Sequence, residues 1–537
     1  MSNRDRGHWL GSITAVALTL SCGVQSPEGG GSDTEEAQTT ANALTTGQQR
    51  IDACKKDPRV LAGLVTARLC AGADIFFRET FAGNGRTCGT CHPAANNFTL
   101  DRDFINTLPM NDPLFVFDAN ADLHDLENGA LRANGIIKEN VDGFDDLANK
   151  FSSRGVPHLF SLVLTITPDP GDGLPKPPAQ RTGWSGDGAP GTGTLREFLS
   201  GAIKQHYPLH LARQAGIDFR LPQPDELDLT AEFQLSLGRT NELDFSQIRL
   251  TDAMADDGRL AYLDPQRGRC NVCHANGGAN FLATGLNRNL DTGTRAAPSV
   301  GDNGAFDGGF GGLGQTAPNL DVFDILLPPG APPNPPQSFG DGTFSTPPVI
   351  EAVDAPPFFH TNAFGDDIEG AISFYNNTGA PFFVNSPAGK ALEAQFGSQI
   401  HMSNDDIIHI GRALRVLNAA FNVDIAKQRL NAAQTLINLF GNQPTPKAIQ
   451  IKLMQLAAAE IDDALVDLVR AGSTPPLHAD AQTRLNEAQA EIAAGTQATD
   501  ASQRQNRVSN ALARLQNARD VFGSNINFVL GKGNLLF

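Results

Sequence analysis

The sequence predicts a mainly α-helical protein in three parts: two tandem units of similar plan, then a helical hairpin or small bundle. Three observations carry this reading. A Cys-x-x-Cys-His run occurs twice, as Cys88-Gly-Thr-Cys91-His92 and as Cys270-Asn-Val-Cys273-His274. Apolar residues recur at helical spacing on either side of both runs. From about residue 424 the composition turns to Ala, Leu, Gln, Asn and Asp, with no Cys and with His478 as its one His. At 537 residues the chain suits about three such units.

The repeated run points to its own chemistry. Cys-x-x-Cys-His is the attachment signal for a c-type haem. Two thiols one helical turn apart reach the two vinyl groups on the haem edge, and the adjacent imidazole reaches the iron as proximal ligand. Cys88, Cys91 and His92 are the expected attachment residues of one covalent haem, and Cys270, Cys273 and His274 those of a second. A Cys-x-x-Cys lacking the His would read as a redox dithiol or half a zinc site. The expected units are therefore class I cytochrome c-like haem domains over residues 49–245 and 246–423, followed by the helical region 424–537.

The N-terminus reads as an export signal over residues 1–22. Arg4 and Arg6 precede an apolar run, Trp9 to Leu20, too short to span a bilayer. It ends in Thr19-Leu20-Ser21-Cys22, which resembles a lipoprotein cleavage box with Cys22 lipidated; an ordinary cleaved signal peptide is the alternative. Residues 23–48, rich in Gly, Ser, Thr, Glu and Gln, suit a flexible linker. Either way the mature protein is expected outside the cytoplasm, in the periplasm or at the outer membrane or cell surface. The membrane is involved only through the lipid anchor. Cys54 and Cys70 remain after the signal and haem cysteines are assigned. They are a disulfide candidate in an oxidising compartment, with Pro58 letting the chain turn between them, or else two unpaired thiols.

Residues 59–79 carry the stripe Leu61, Leu64, Val65, Leu69 and Phe76 and predict the helix before the first haem run. A long loop follows, in which His124 is a solvent-exposed residue or a sixth iron ligand. Leu195 to His206 reads as a helix, as do residues 225–239. Leu250 to Leu263 predicts the helix before the second run. Asn280 to Phe339 is loop-rich. Helices are expected again over Asp367–Tyr375 and Asp405–Leu417, ending the second unit near Asn422. Beyond it, Leu430, Ala433, Leu436, Ile437 and Phe440 open a helical region with further runs at 446–470 and 477–520. The formal net charge of -18 makes nucleic-acid binding a poor expectation. An acidic surface suits a soluble electron donor with a basic patch, and also plain solubility.

Between the haem runs stand Arg154-Gly-Val-Pro157, Gly183-Trp184-Ser-Gly186 with Leu195-Arg-Glu, Ala355-Pro-Pro-Phe-Phe-His360, and Ile368-Glu-Gly-Ala-Ile-Ser-Phe-Tyr375. In this order the segments resemble those of the bacterial dihaem cytochrome c peroxidase / MauG superfamily, over about residues 50–423. The resemblance implies a reactive N-terminal haem held by His92 and an electron-storing C-terminal haem held by His274. It implies Trp184 as the relay between them and Tyr375 as the sixth ligand of the second iron. His360 and Met402 are the alternatives to Tyr375. It also implies a calcium ion on the backbone carbonyls of Gly155, Ala355 and Pro357. The chain departs from the family where a catalytic Glu is expected. Pro208 stands at about that position, and His206 close by is the candidate distal base, with His158 next.

The expected function is peroxidase-like: reduction of hydrogen peroxide at the N-terminal haem, with electrons from a small donor protein relayed through the C-terminal haem. A MauG-like or rubber-oxygenase-like oxidase acting on a protein or organic substrate is one alternative. A non-enzymatic electron-transfer cytochrome is the other.

Overall fold

Side-chain caps set where the helices of this chain begin. The computed structural model describes residues 46–139, 152–171, 178–186, 193–294, 343–362, 367–376, 382–470 and 476–537. Thr66 accepts from the Leu69 amide at 3.1 Å and starts the helix Ala67–Arg78. Thr194 and Glu197 form a capping box that starts Leu195–His206, and Ser403 with Asp406 starts Asn404–Phe440 in the same way. Each box satisfies amides that the first helical turn would leave bare. The architecture is mainly helical. The strands form short antiparallel pairs, the longest joining Ile136–Glu139 to Ser152–Gly155.

Several boundaries differ from the sequence reading. The expected helix over 59–79 is two, Pro58–Leu61 and Ala67–Arg78. Gly63 lies between them at a φ of +70°, and Thr66 then starts a new cap. Leu61 consequently leaves the apolar stripe and is exposed. The run 477–520 also divides, into Ala479–Gln497 and Ala501–Asp520, because Asp500 caps the second helix through the Gln503 amide. Conversely, the expected break near Asn422 does not occur: Asn404–Phe440 is one helix across the boundary drawn between units. Its first half packs on Ala253–Leu263 and its second half on Pro444–Arg470. With Ala479–Gln497 and Ala501–Asp520 it completes a four-helix arrangement in which each helix meets its neighbours in chain order and the last returns to the first.

The segment after Asp520 runs back over both Cys-x-x-Cys-His units. Gly523–Ser524 pairs with Arg249–Leu250, the Asn534 side chain accepts from the Gly238 amide, and Arg59 donates to the Leu535 carbonyl. The two units also meet at a fully buried ion pair, Arg239 Nε to Glu351 Oε1 at 2.6 Å, to which Ser161 Oγ adds a hydrogen bond. Cys54 and Cys70 form a disulfide joining the helix Thr46–Cys54 to Ala67–Arg78. That helix starts at Thr46, so residues 46–48 of the expected linker are helical. The rest of the linker, the expected signal and Cys22 lie outside the described residues. No helix among the described residues is long and apolar enough to cross a membrane.

Candidate functional site

Both Cys-x-x-Cys-His runs line one cavity, with about 3370 Å³ of unfilled space, part of it open to solvent. The first run is a single helical turn, Cys88–Cys91, started by Thr87 and Thr90; the second is a tighter turn, Cys270–Val272. In each, the peptide N–H of the His bonds the carbonyl of the first Cys at 2.9 Å, so the turn carries the imidazole and both thiols into the same wall.

The imidazoles are prepared alike. His92 Nδ1 lies 2.7 Å from the Phe98 carbonyl and His274 Nδ1 lies 2.9 Å from the Pro347 carbonyl. A carbonyl can only accept, so Nδ1 carries the proton and Nε2 keeps its lone pair, the form a metal needs. Burial pulls His92 down to about 4 and lowers His274 too, which keeps both rings neutral at pH 7. The thiols are free, and burial pushes Cys88 up to about 11 and Cys91, Cys270 and Cys273 to about 12. A redox dithiol needs the opposite shift, so the donor set fits covalent haem better than thiol–disulfide exchange.

Arg269 gives an independent check of fit. It precedes Cys270, lines the cavity, and is 2% exposed. It bonds neutral oxygens of Pro265 and Ser398, with Phe396 beneath it. Among the described residues it has no carboxylate partner, and an uncompensated buried cation is costly. A haem propionate would supply that charge. The residues present therefore fit a haem at each run.

The expected relay and axial residues reach the same cavity. Trp184 lines it, donates Nε1 to the Gly155 carbonyl at 2.7 Å, and accepts at its own carbonyl from the Ser345 amide at 2.9 Å. It thus joins the Gly155 strand of the first unit to the Phe344–Ser345 strand of the second. Tyr375 lines the wall near the second run, packed against Phe374 and Phe383, and burial together with Cys273 and Cys270 raises its phenol above the usual range. Met402 lines the cavity as well, and is 3% exposed. Asn376 clamps its backbone, donating to its carbonyl and accepting from its amide at 2.8 and 3.0 Å. These bonds hold Met402 beside the residue that follows Tyr375, although the two lie far apart in sequence. His360 stacks on Phe344 with ring centroids 3.8 Å apart.

His206, at the end of Leu195–His206, lines the cavity, as does half-buried His158, whose enclosed Nδ1 has no hydrogen-bond partner among the described residues. His124 is exposed, bonds Asp125, and is absent from the cavity lining. Gly155, Ala355 and Pro357 all line the cavity, Pro357 after a cis peptide bond. The Gly155 carbonyl already accepts from Trp184. Among the described residues no group of three or more His, Cys, Asp or Glu is placed to hold a metal ion, so the calcium expectation rests on backbone carbonyls.

Besides Arg269, three residues escaped the sequence reading. Tyr207 donates its hydroxyl to Cys88 Sγ at 3.2 Å. Glu127 is buried and paired with Arg86 at 2.9 Å, with His206 Nδ1 3.8 Å away. Arg86 stands two residues before Cys88, which was a usable signal; nothing in the spacing of Glu127 marks it. No protein-family model, no curated protein and no solved structure matches this chain.

Proposed function

We propose that this chain is a dihaem c-type cytochrome with peroxidase-like activity, reducing hydrogen peroxide to water at the first Cys-x-x-Cys-His run. Electrons from a small donor protein would enter at the second run, outside the cytoplasm. What supports the reading is that two such runs, each with its imidazole Nδ1 held by a backbone carbonyl, share one cavity with Trp184 between the units.

Bound haem supplies the redox-active iron. The residues around it do the rest. Cys88, Cys91 and His92 hold the first group, and Cys270, Cys273 and His274 the second. Arg269 offsets a propionate. His206 accepts a proton from peroxide and returns it to the departing oxygen; acid–base assistance of this kind is worth roughly 10²–10⁴-fold. Trp184, tied to both units, offers an aromatic step between the two runs. Tyr375 would help His274 hold the second group, its phenol oxygen supplying a hard donor. Calcium on the Gly155, Ala355 and Pro357 carbonyls would tie the two units together.

A second reading, MauG-like or rubber-oxygenase-like oxidation of a protein or organic substrate, draws on Tyr375. A phenolate ligand favours high oxidation states over easy reduction. Steady-state peroxide consumption with a reduced donor, together with the resting optical spectrum, separates the readings. Turnover with one five-coordinate haem supports the peroxidase. A five-coordinate haem without peroxide turnover favours the oxidase, and two six-coordinate low-spin haems leave only electron transfer.

A further inference from the structure

Glu127 is 2% exposed and lies behind His206, outside the cavity lining. Its carboxylate is held on two sides. Arg86 Nη1 donates to Oε1 at 2.9 Å, and the Lys138 amide donates to Oε2 at 2.8 Å. Arg86 is itself fixed by the Pro113 and Leu114 carbonyls. Burial alone would raise Glu127, but His206 and Arg86 beside it outweigh this and hold it below the usual carboxylate range. So a fixed anion faces His206 Nδ1 at 3.8 Å, and that nitrogen is enclosed with no hydrogen-bond partner among the described residues. The His206 side chain lines the cavity and is 15% exposed.

An anion opposite one ring nitrogen favours the proton there. Nδ1–H then points at Glu127, and Nε2, across the ring, is bare. We propose that Glu127 is a positioning residue: it selects the His206 tautomer that leaves Nε2 free to take a proton from a small ligand in the cavity. It also stabilises the imidazolium that results. Arg86 holds the carboxylate in register, so the unit is Arg86–Glu127–His206. This rests on the reading of His206 as the proton acceptor.

The test is the rate at which hydrogen cyanide binds the holoprotein, followed optically. Cyanide gives up its proton to a nearby base as its carbon takes the iron, so the on-rate reports the base without peroxide turnover. Glu127→Gln should slow binding about 10- to 100-fold, the usual effect of losing an orienting partner. His206→Ala should slow it at least as much. A slow His206→Ala with a normal Glu127→Gln overturns the positioning role and leaves His206 as the base. Normal rates in both remove His206 itself. Where Glu127→Gln loses haem by stranding Arg86, the double variant Arg86→Gln/Glu127→Gln, which leaves no buried charge unpaired, decides: slowed binding supports the role, and a wild-type rate overturns it.

Discussion

Trp184 Nε1 donates to the carbonyl of Gly155 at 2.7 Å, while the Trp184 carbonyl accepts from Ser345. One residue is therefore tied by its side chain to the first unit and by its backbone to the second. Trp184→Phe should remove a hydrogen bond worth about 1 kcal/mol and slow electron transfer between the two sites, leaving both optical spectra nearly intact. Unchanged transfer after flash reduction would reduce Trp184 to a packing role.

Covalent attachment is checked by mass. Wild type should carry two haems. Cys91→Ala or Cys273→Ala should each weaken attachment at one run and leave the other loaded. A mature protein of bare polypeptide mass would end the haem assignment.

Tyr375 and Met402 are the rival candidates to hold the proposed second iron. Tyr375→Phe should give the second haem a high-spin signature, and Met402→Leu should leave its spectrum unaltered. The reverse pattern transfers the ligand to Met402, whose backbone Asn376 already fixes.

Asp354 stands among Asn422, Asn97, Asp463 and Glu460, and burial, with Glu460 adding to it, raises its carboxyl to about 7. The unfolded value is near 3.9. Between these values the folded state binds the extra proton, so this group's contribution falls as pH rises from about 4 to 7. Asp354→Asn should accordingly raise the melting temperature more at pH 8 than at pH 5. An equal shift at both values would show that the carboxyl is already ionised.

The Arg239–Glu351 pair is buried at both ends. Arg239→Met should cost about 3–5 kcal/mol by stranding Glu351, and adding Glu351→Leu should recover much of it. Denaturant titration of both variants measures the difference.

The two Cys-x-x-Cys-His runs were legible because the chemistry they suggest demands fixed spacing, and Leu195–His206 because Thr194, Glu197 and its apolar face all agree. The unbroken helix Asn404–Phe440 was also readable: between Gly411 and Gly441 the sequence holds no Gly or Pro. The change in composition near 424 concealed it. Glu127 and Arg269 could not be found that way. Each owes its role to what lies across space, a carboxylate beside an imidazole or a charge beside a cavity, and none of these pairings leaves a period in the chain. The Gly523–Ser524 pairing with Arg249–Leu250 is of the same kind, since two residues carry no alternation to detect.

The continuous helix has a practical consequence. At 37 residues it is about 55 Å long at 1.5 Å per residue, and it acts as a shared girder rather than a hinge. Cutting the gene at codon 424 would saw through this girder, baring the faces of Val423, Ile425 and Ala426 that are now wholly buried. The C-terminal region is therefore not a detachable accessory. A truncated protein that lost its colour would report a collapsed scaffold, not the job of the missing part.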